Sequence, residues 1–398
     1  MPSSGTFFAM TFLIGLVSSA PASYSAQQVE EAAPACILPT SIQGSVVLDP
    51  DCTYSGTIEI SVSDVTLDCR GSVINAKGHK SGVVVQGKFL RNIVVKNCRI
   101  EGADSEGLLI RSPMSARELE AFPVPERYAM ASQQVSILSS TIANSGSAGI
   151  YVGHYTQDTA INDVTVEQSG SIGVYLDASS IRTSIESSQF LSNGYGDPLK
   201  RREAKRNREA IAIDSSAFNR IRGNKFKGNS AGGIFLYKNC WESHTDPKQA
   251  RRWQHSSYNV IESNTFEEKV GVWVASRQAR NLKNMDCGDP ALAPGYYRDY
   301  ADNNTISKNR FTGGEVGVNV QDDFTTLTEN NFTGQQKACI LVGSRKRDEL
   351  IGAPIEGTTL KSNFCDAEKG PGFSIEGSTS FQQCSGNVLF GRTYDCSQ

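Results

Sequence analysis

A short apolar phrase returns along this chain at a nearly fixed interval, and that interval restricts the fold more than any other property. Gly82-Val-Val-Val is followed by Gly107-Leu-Leu-Ile, Gly149-Ile-Tyr-Val, Gly173-Val-Tyr-Leu, Ala210-Ile-Ala-Ile, Gly233-Ile-Phe-Leu, Gly271-Val-Trp-Val, Gly317-Val-Asn-Val and Gly372-Phe-Ser-Ile. Where nothing intervenes the step is 23 to 25 residues (82 to 107, 149 to 173, 210 to 233), which is a solenoid period. After each phrase comes another short strand in which Asn stands two residues ahead of Phe: Asn224 and Phe226, Asn264 and Phe266, Asn309 and Phe311, Asn330 and Phe332. Short strands with no amphipathic helix between them predict an all-β, single-stranded right-handed parallel β-helix of about ten coils. Its ends need caps and its long loops gather on one face.

Period-two alternation sorts the side chains of the phrase. The positions one and three after the Gly are apolar and point inward (Ile150 and Val152, Ile234 and Leu236, Val272 and Val274). The recurring Asn is expected to bond the coils above and below and to hold left-handed backbone itself at the corner. Positions two and four after the Gly point outward. One row is Leu109, Tyr151, Tyr175, Ala212, Phe235, Trp273 and Asn319, and the other contains Arg111, Asp177, Asp214, Tyr237 and Gln321. Such an exterior aromatic row is either covered by loops or kept for a flat apolar ligand face such as that of a pyranose.

The expected organisation is a signal peptide over 1–26, a cap over 27–54, the β-helix over 55–390 and a tail over 391–398. Phe7 to Val17 is apolar and small residues follow it, as in a secretory leader. Ten cysteines suit an oxidising compartment, with Cys69–Cys98 and Cys240–Cys287 as the natural pairings. Insertions at 112–132, 195–208, 239–257 and 278–302 read as loops. A net charge of −3 gives no reason to expect nucleic acid; neither membrane insertion nor an oligomer is expected. Basic residues instead cluster in the inserts, at 200–208 and at Arg251 and Arg252, a rim that attracts polyanions.

The coil pattern over about 55–390 resembles the secreted β-helix proteins that include pectate lyases, the chondroitinase B and alginate lyase family and mannuronan C5-epimerases. Lys238 after one strand phrase and Arg277 after the next resemble the Lys base and Arg acid of the chondroitinase B and alginate lyase family. What this implies is a secreted or periplasmic polysaccharide lyase, or C5-epimerase, acting on an acidic, uronic-acid-containing polysaccharide. Proton removal at C5 needs a cation at the carboxylate, a base, and an acid at the glycosidic oxygen. The candidate catalytic residues are therefore Lys238, Arg277, Tyr237, His154, Asp214 and Asp322. Candidate substrate contacts are Tyr151, Tyr175, Asp177, Phe235, Trp241, Glu242, His244, Trp253, Trp273 and Arg280. Calcium would serve in place of Arg as carboxylate neutraliser, with Glu209 and Asp214 as loose ligands. The epimerase signature Asp-Pro-His-Asp is absent. Two alternatives stay open: a glycoside hydrolase using carboxylates among Asp214, Glu242, Asp322 and Asp323, and a non-catalytic polysaccharide-binding module.

Overall fold

The computed structural model describes residues 36–197, 202–203, 207–239, 252–275, 291–293, 296–297, 301–345, 348–349, 354–367, 370, 372–377 and 379–396 of the 398. The expected signal peptide lies outside them.

Three long sheets run side by side through residues 36–398, with one strand from each coil in each sheet. The first has 12 strands, from Ser41–Ile42 to Phe373–Glu376. The second has 12, from Val46–Val47 to Thr379–Ser385. The third has 13, opening at Thr53–Ser55 and ending on Asn387–Leu389 and Arg392–Tyr394. Each strand pairs in parallel with its counterpart one coil on, except the closing antiparallel pair. This is a right-handed parallel β-helix, as the period predicts.

The inward positions of the phrase are fully buried, among them Ile150, Val152, Ile234, Leu236, Val272 and Val274. The third sheet adds a column of rings, Phe190, Phe226, Phe266, Phe311 and Phe332, stacked at 4.6 to 5.0 Å between centroids. That packing explains the recurring Gly. A Cβ on Gly271 would lie 2.4 Å from the Phe311 ring and 2.6 Å from the Gly317 carbonyl, and one on Gly107 would lie 2.4 Å from Ile142.

Asn224, Asn264, Asn309, Asn330, Asn363 and Asn387 form a buried ladder. Asn264 is typical. Its Nδ2 donates to the Ile221 carbonyl at 2.9 Å and to Asn309 Oδ1 at 3.0 Å, while its Oδ1 accepts from the Asn224 backbone N–H at 2.9 Å. A second ladder joins Asn219, Asn259 and Asn304. The left-handed residue is not the Asn but the one before it: Gly223, Ser263, Lys308, Glu329 and Ser362 all have φ between 54° and 65°. The preceding residue makes the bend, which frees the Asn to turn its amide inward where both its donors and its acceptor are used.

Among the described residues four disulfides join Cys36–Cys52, Cys69–Cys98, Cys339–Cys365 and Cys384–Cys396. The expected Cys69–Cys98 bond is thus present, while Cys240 and Cys287 lie outside the described residues. The insertion at 112–132 is not simply a loop. It forms two short helices, Ala116–Leu119 and Val124–Met130, the first opened by a capping box between Ser115 and Glu118. Among the described residues no helix is long and apolar enough to cross a membrane.

Candidate functional site

On the outer face of the first sheet the register is continuous, so Leu109, Tyr151, Tyr175, Ala212, Phe235, Trp273 and Asn319 stand directly opposite one another from coil to coil. Tyr151 and Tyr175 stack at 5.4 Å with 19° between planes. Phe235 and Trp273 meet edge to face at 5.2 Å and 85°.

Beside this row the tyrosine hydroxyls reach carboxylates one coil on. Tyr151 donates to Asp177 at 2.5 Å and Tyr175 donates to Asp214. Arg252, from the insertion that follows Lys238, lies between the two acids, its Nη1 2.9 Å from Asp177 Oδ1 and 3.1 Å from Asp214 Oδ2. Those oxygens are therefore at most 6.0 Å apart. Asp214 also accepts from the Asn239 backbone N–H at 2.7 Å, from Asn239 Nδ2 at 2.6 Å and from Ser215 Oγ at 3.1 Å.

Burial alone would raise the Asp177 carboxyl, but Arg252, the Tyr151 hydroxyl and His154 outweigh it and hold Asp177 below the usual carboxylate range. Burial likewise opposes the Arg252 charge, and Asp214 with Asp177 more than offsets that. The Tyr151 and Tyr175 hydroxyls are pushed well above their ordinary range, by burial first and then by their carboxylate partners. A second knot lies next to it. Tyr237 donates to Glu209 at 2.8 Å, and Arg208 binds both Glu209 at 3.2 Å and the Tyr237 oxygen at 3.0 Å.

Among the described residues two depressions open on the same face. A groove of about 750 Å³ includes Glu106, Arg111, Glu118, Tyr151 and His154 in its lining. Arg111 is anchored by its Nε to Gln86 at 2.6 Å. His154 Nε2 lies 3.0 Å from the Met114 carbonyl; a carbonyl only accepts, so Nε2 carries a proton and Nδ1 is the nitrogen left for proton transfer. Glu118 is held by the Ser115 N–H and hydroxyl, both at 2.7 Å. The other depression, about 310 Å³, includes Phe235, Trp273, Lys269 and Asn319 in its lining.

Of the residues singled out in the sequence, Tyr151, Tyr175, Asp177 and Asp214 come together around Arg252, and Tyr237 joins Glu209. His154 sits in the large groove. Lys238 is fully buried, so in this arrangement it offers no surface to a substrate on the face. Asp322 and Asp323 serve backbone N–H groups, of Ala301 and of Glu356, and Asp322 also accepts from the Asp323 N–H. Trp253 is exposed. Arg277, Trp241, Glu242, His244 and Arg280 lie outside the described residues. Arg252 as the bridge between two acids, and Arg111 and Glu106 as groove residues, are what the sequence reading missed. The outward row already holds Arg111, and Ser115 with Glu118 carries the capping-box spacing that sets the groove wall.

Comparison with solved structures returns other β-helices. A double mutant of the tailspike protein of E. coli bacteriophage HK620, solved with a pentasaccharide, aligns over 87% of this chain and 60% of its own, with 13% identity and a TM-score of 0.56. An alginate lyase from Paenibacillus sp. str. FPU-7 aligns over 80% of this chain and 95% of its own at 11% identity and a TM-score of 0.42. The catalytic domain of a GH87 α-1,3-glucanase aligns over 87% and 63% at 12% and 0.46. The likeness is one of fold. This chain spans 60% of the tailspike's length.

A family model described as NosD, periplasmic copper-binding protein, matches residues 245–370. No curated protein matches the chain. The described part of that stretch does not suit copper: Cys339 and Cys365 are bonded to each other. Among all described residues no three His, Cys, Asp or Glu side chains gather as a metal would need.

Proposed function

We propose that the protein is exported and acts on a uronic-acid polysaccharide laid along the outer face of the first sheet, abstracting the C5 proton as a lyase or C5-epimerase. Paired cysteines suit an oxidising compartment. The observation that carries the reading is how the charged groups are used. Asp214, one of the acids a hydrolase would use, and its neighbour Asp177 are both committed to Arg252, whereas the adjoining groove keeps His154 and Arg111. The tailspike of similar fold, solved with a pentasaccharide, supports a saccharide ligand.

The chemistry follows from that groove. A C5 proton becomes removable when a cation draws charge onto the neighbouring carboxylate, which is Arg111's part. His154 Nδ1 takes the proton, its ring fixed from the far side by the Met114 carbonyl. His154 is preferred to Lys238 as base because Lys238 is wholly buried. In elimination the electron pair left at C5 forms the C4–C5 double bond, the C4–O bond breaks, and the leaving oxygen takes a proton. In epimerisation a proton instead returns to C5 from the other face.

Glu106 lines the same groove and favours a second reading, a glycoside hydrolase. Variants separate the two on a panel of alginate, polygalacturonate, glucuronan and glycosaminoglycans. His154→Ala is expected to lower turnover by roughly 10²-fold or more with unchanged circular dichroism, and the products to absorb as unsaturated uronates. Saturated ends whose release depends on Glu106 and not His154 would instead establish the hydrolase.

A further inference from the structure

The 310 Å³ depression combines three properties. First, it has an aromatic wall held in place: Trp273 meets Phe235 edge to face and donates its Nε1–H to Gln321 at 3.1 Å. Second, two residues of its lining carry unsatisfied polar atoms. Ser230 and Asn319 line it, and their Oγ and Oδ1 atoms, turned away from water, have no hydrogen-bond partner among the described residues; Ser230 as a whole is only 8% exposed. Buried polar atoms left without partners are costly, and such atoms ask for an explanation.

Third, its rim carries surplus positive charge. Lys269 lies 3.6 Å from Glu315, but Lys337 holds that same carboxylate at 2.5 Å. One carboxylate thus faces two ammonium groups. The volume is that of roughly ten waters at about 30 Å³ each, room for one sugar ring rather than a long ligand.

Building on the polysaccharide reading above, we infer that this depression is a subsite for a single uronic-acid ring, with the indole against the ring face and Lys269 toward its carboxylate. A neutral sugar would use the indole but leave the Lys269 charge unmatched. On the outward row Trp273 stands four coils beyond Tyr151, about 19 Å at the spacing of neighbouring strands. One polymer chain of a few sugars therefore reaches from the subsite to the large groove.

The test uses the full mature chain with glucuronate, galacturonate, mannuronate and glucose as probes, their affinities read by saturation-transfer NMR and tryptophan emission. At least one uronate is expected to bind fivefold or more tightly than glucose. Lys269→Gln should bring that ratio to about one while weak binding persists. Trp273→Phe should weaken both classes and remove the change in emission, with circular dichroism unchanged. No preference for any uronate, or a preference that survives Lys269→Gln, overturns the subsite. Turnover of a uronate polymer unaffected by Lys269→Gln and Trp273→Phe also overturns it and leaves the proposed activity standing. Lys269-dependent uronate binding without any polymer turnover keeps the subsite and removes the lyase or epimerase reading.

Discussion

Glu268 breaks a pattern and ties stability to pH. It occupies the place where a further ladder Asn is expected, accepting from Asn229 Nδ2 at 2.6 Å and from the Asn229 N–H at 2.9 Å. Burial pushes its carboxyl up from the ordinary 4.5 to about 8, against the pull of those donors. The folded state therefore holds a proton that the unfolded chain has released between those values. Glu268 contributes stability fully below pH 4.5 and loses it as pH rises toward 8. The melting temperature of the wild type should fall across that window relative to Glu268→Gln, which presents an amide at any pH; identical slopes for the two proteins would contradict the assignment. The sequence revealed that corner residues matter here but not which residue bends. Spacing marks the Asn because its side chain recurs, whereas the left-handed residue before it varies between Gly, Ser, Lys and Glu and leaves no pattern to read.

Among the elements, the strands were legible and the insertions were not. Period two placed Tyr151, Tyr175, Asp177 and Asp214 outward because a strand's faces alternate irrespective of what packs on them. Arg252 could not be placed in the same way: it meets Asp177 across 75 residues, through an insertion whose path no periodicity sets. The short helices Ala116–Leu119 and Val124–Met130 were missed for a related reason, being too brief to display a helical period. The bridge itself can be tested. Arg252→Met leaves two buried carboxylates without their counter-charge and should cost about 3–5 kcal/mol in denaturant unfolding. Adding Asp177→Asn and Asp214→Asn should recover much of that, since the offending charges are then gone. A single variant as stable as the wild type would show that the acids are neutral in the folded protein.

For the whole solenoid, each coil leans on its neighbours, so stability is lowest where a neighbour is missing. The described disulfides are placed accordingly. Cys36–Cys52 and Cys384–Cys396 close short loops at the first and last coils, each contributing about 3 kcal/mol in the chain-entropy picture. Reduction should therefore speed amide exchange in strands Ser41–Ile42 and Asn387–Leu389 long before it reaches Glu209–Asp214; uniform loss of protection would mean that the coils unfold as one unit. Fold class was readable because the repeat encodes it many times over, and reaction class was not, because the groove depends on Arg111, Met114 and His154 meeting across the insertion.

The most direct measurement of C5 proton abstraction is proton NMR of alginate, polygalacturonate, glucuronan and glycosaminoglycans incubated with the protein in heavy water. The expected result, on at least one polymer, is loss of the C5 proton signal, either to an olefinic C4 signal at new chain ends or to deuterium at C5, and its abolition in His154→Ala. Retention of every C5 proton, with or without new saturated ends, would contradict it.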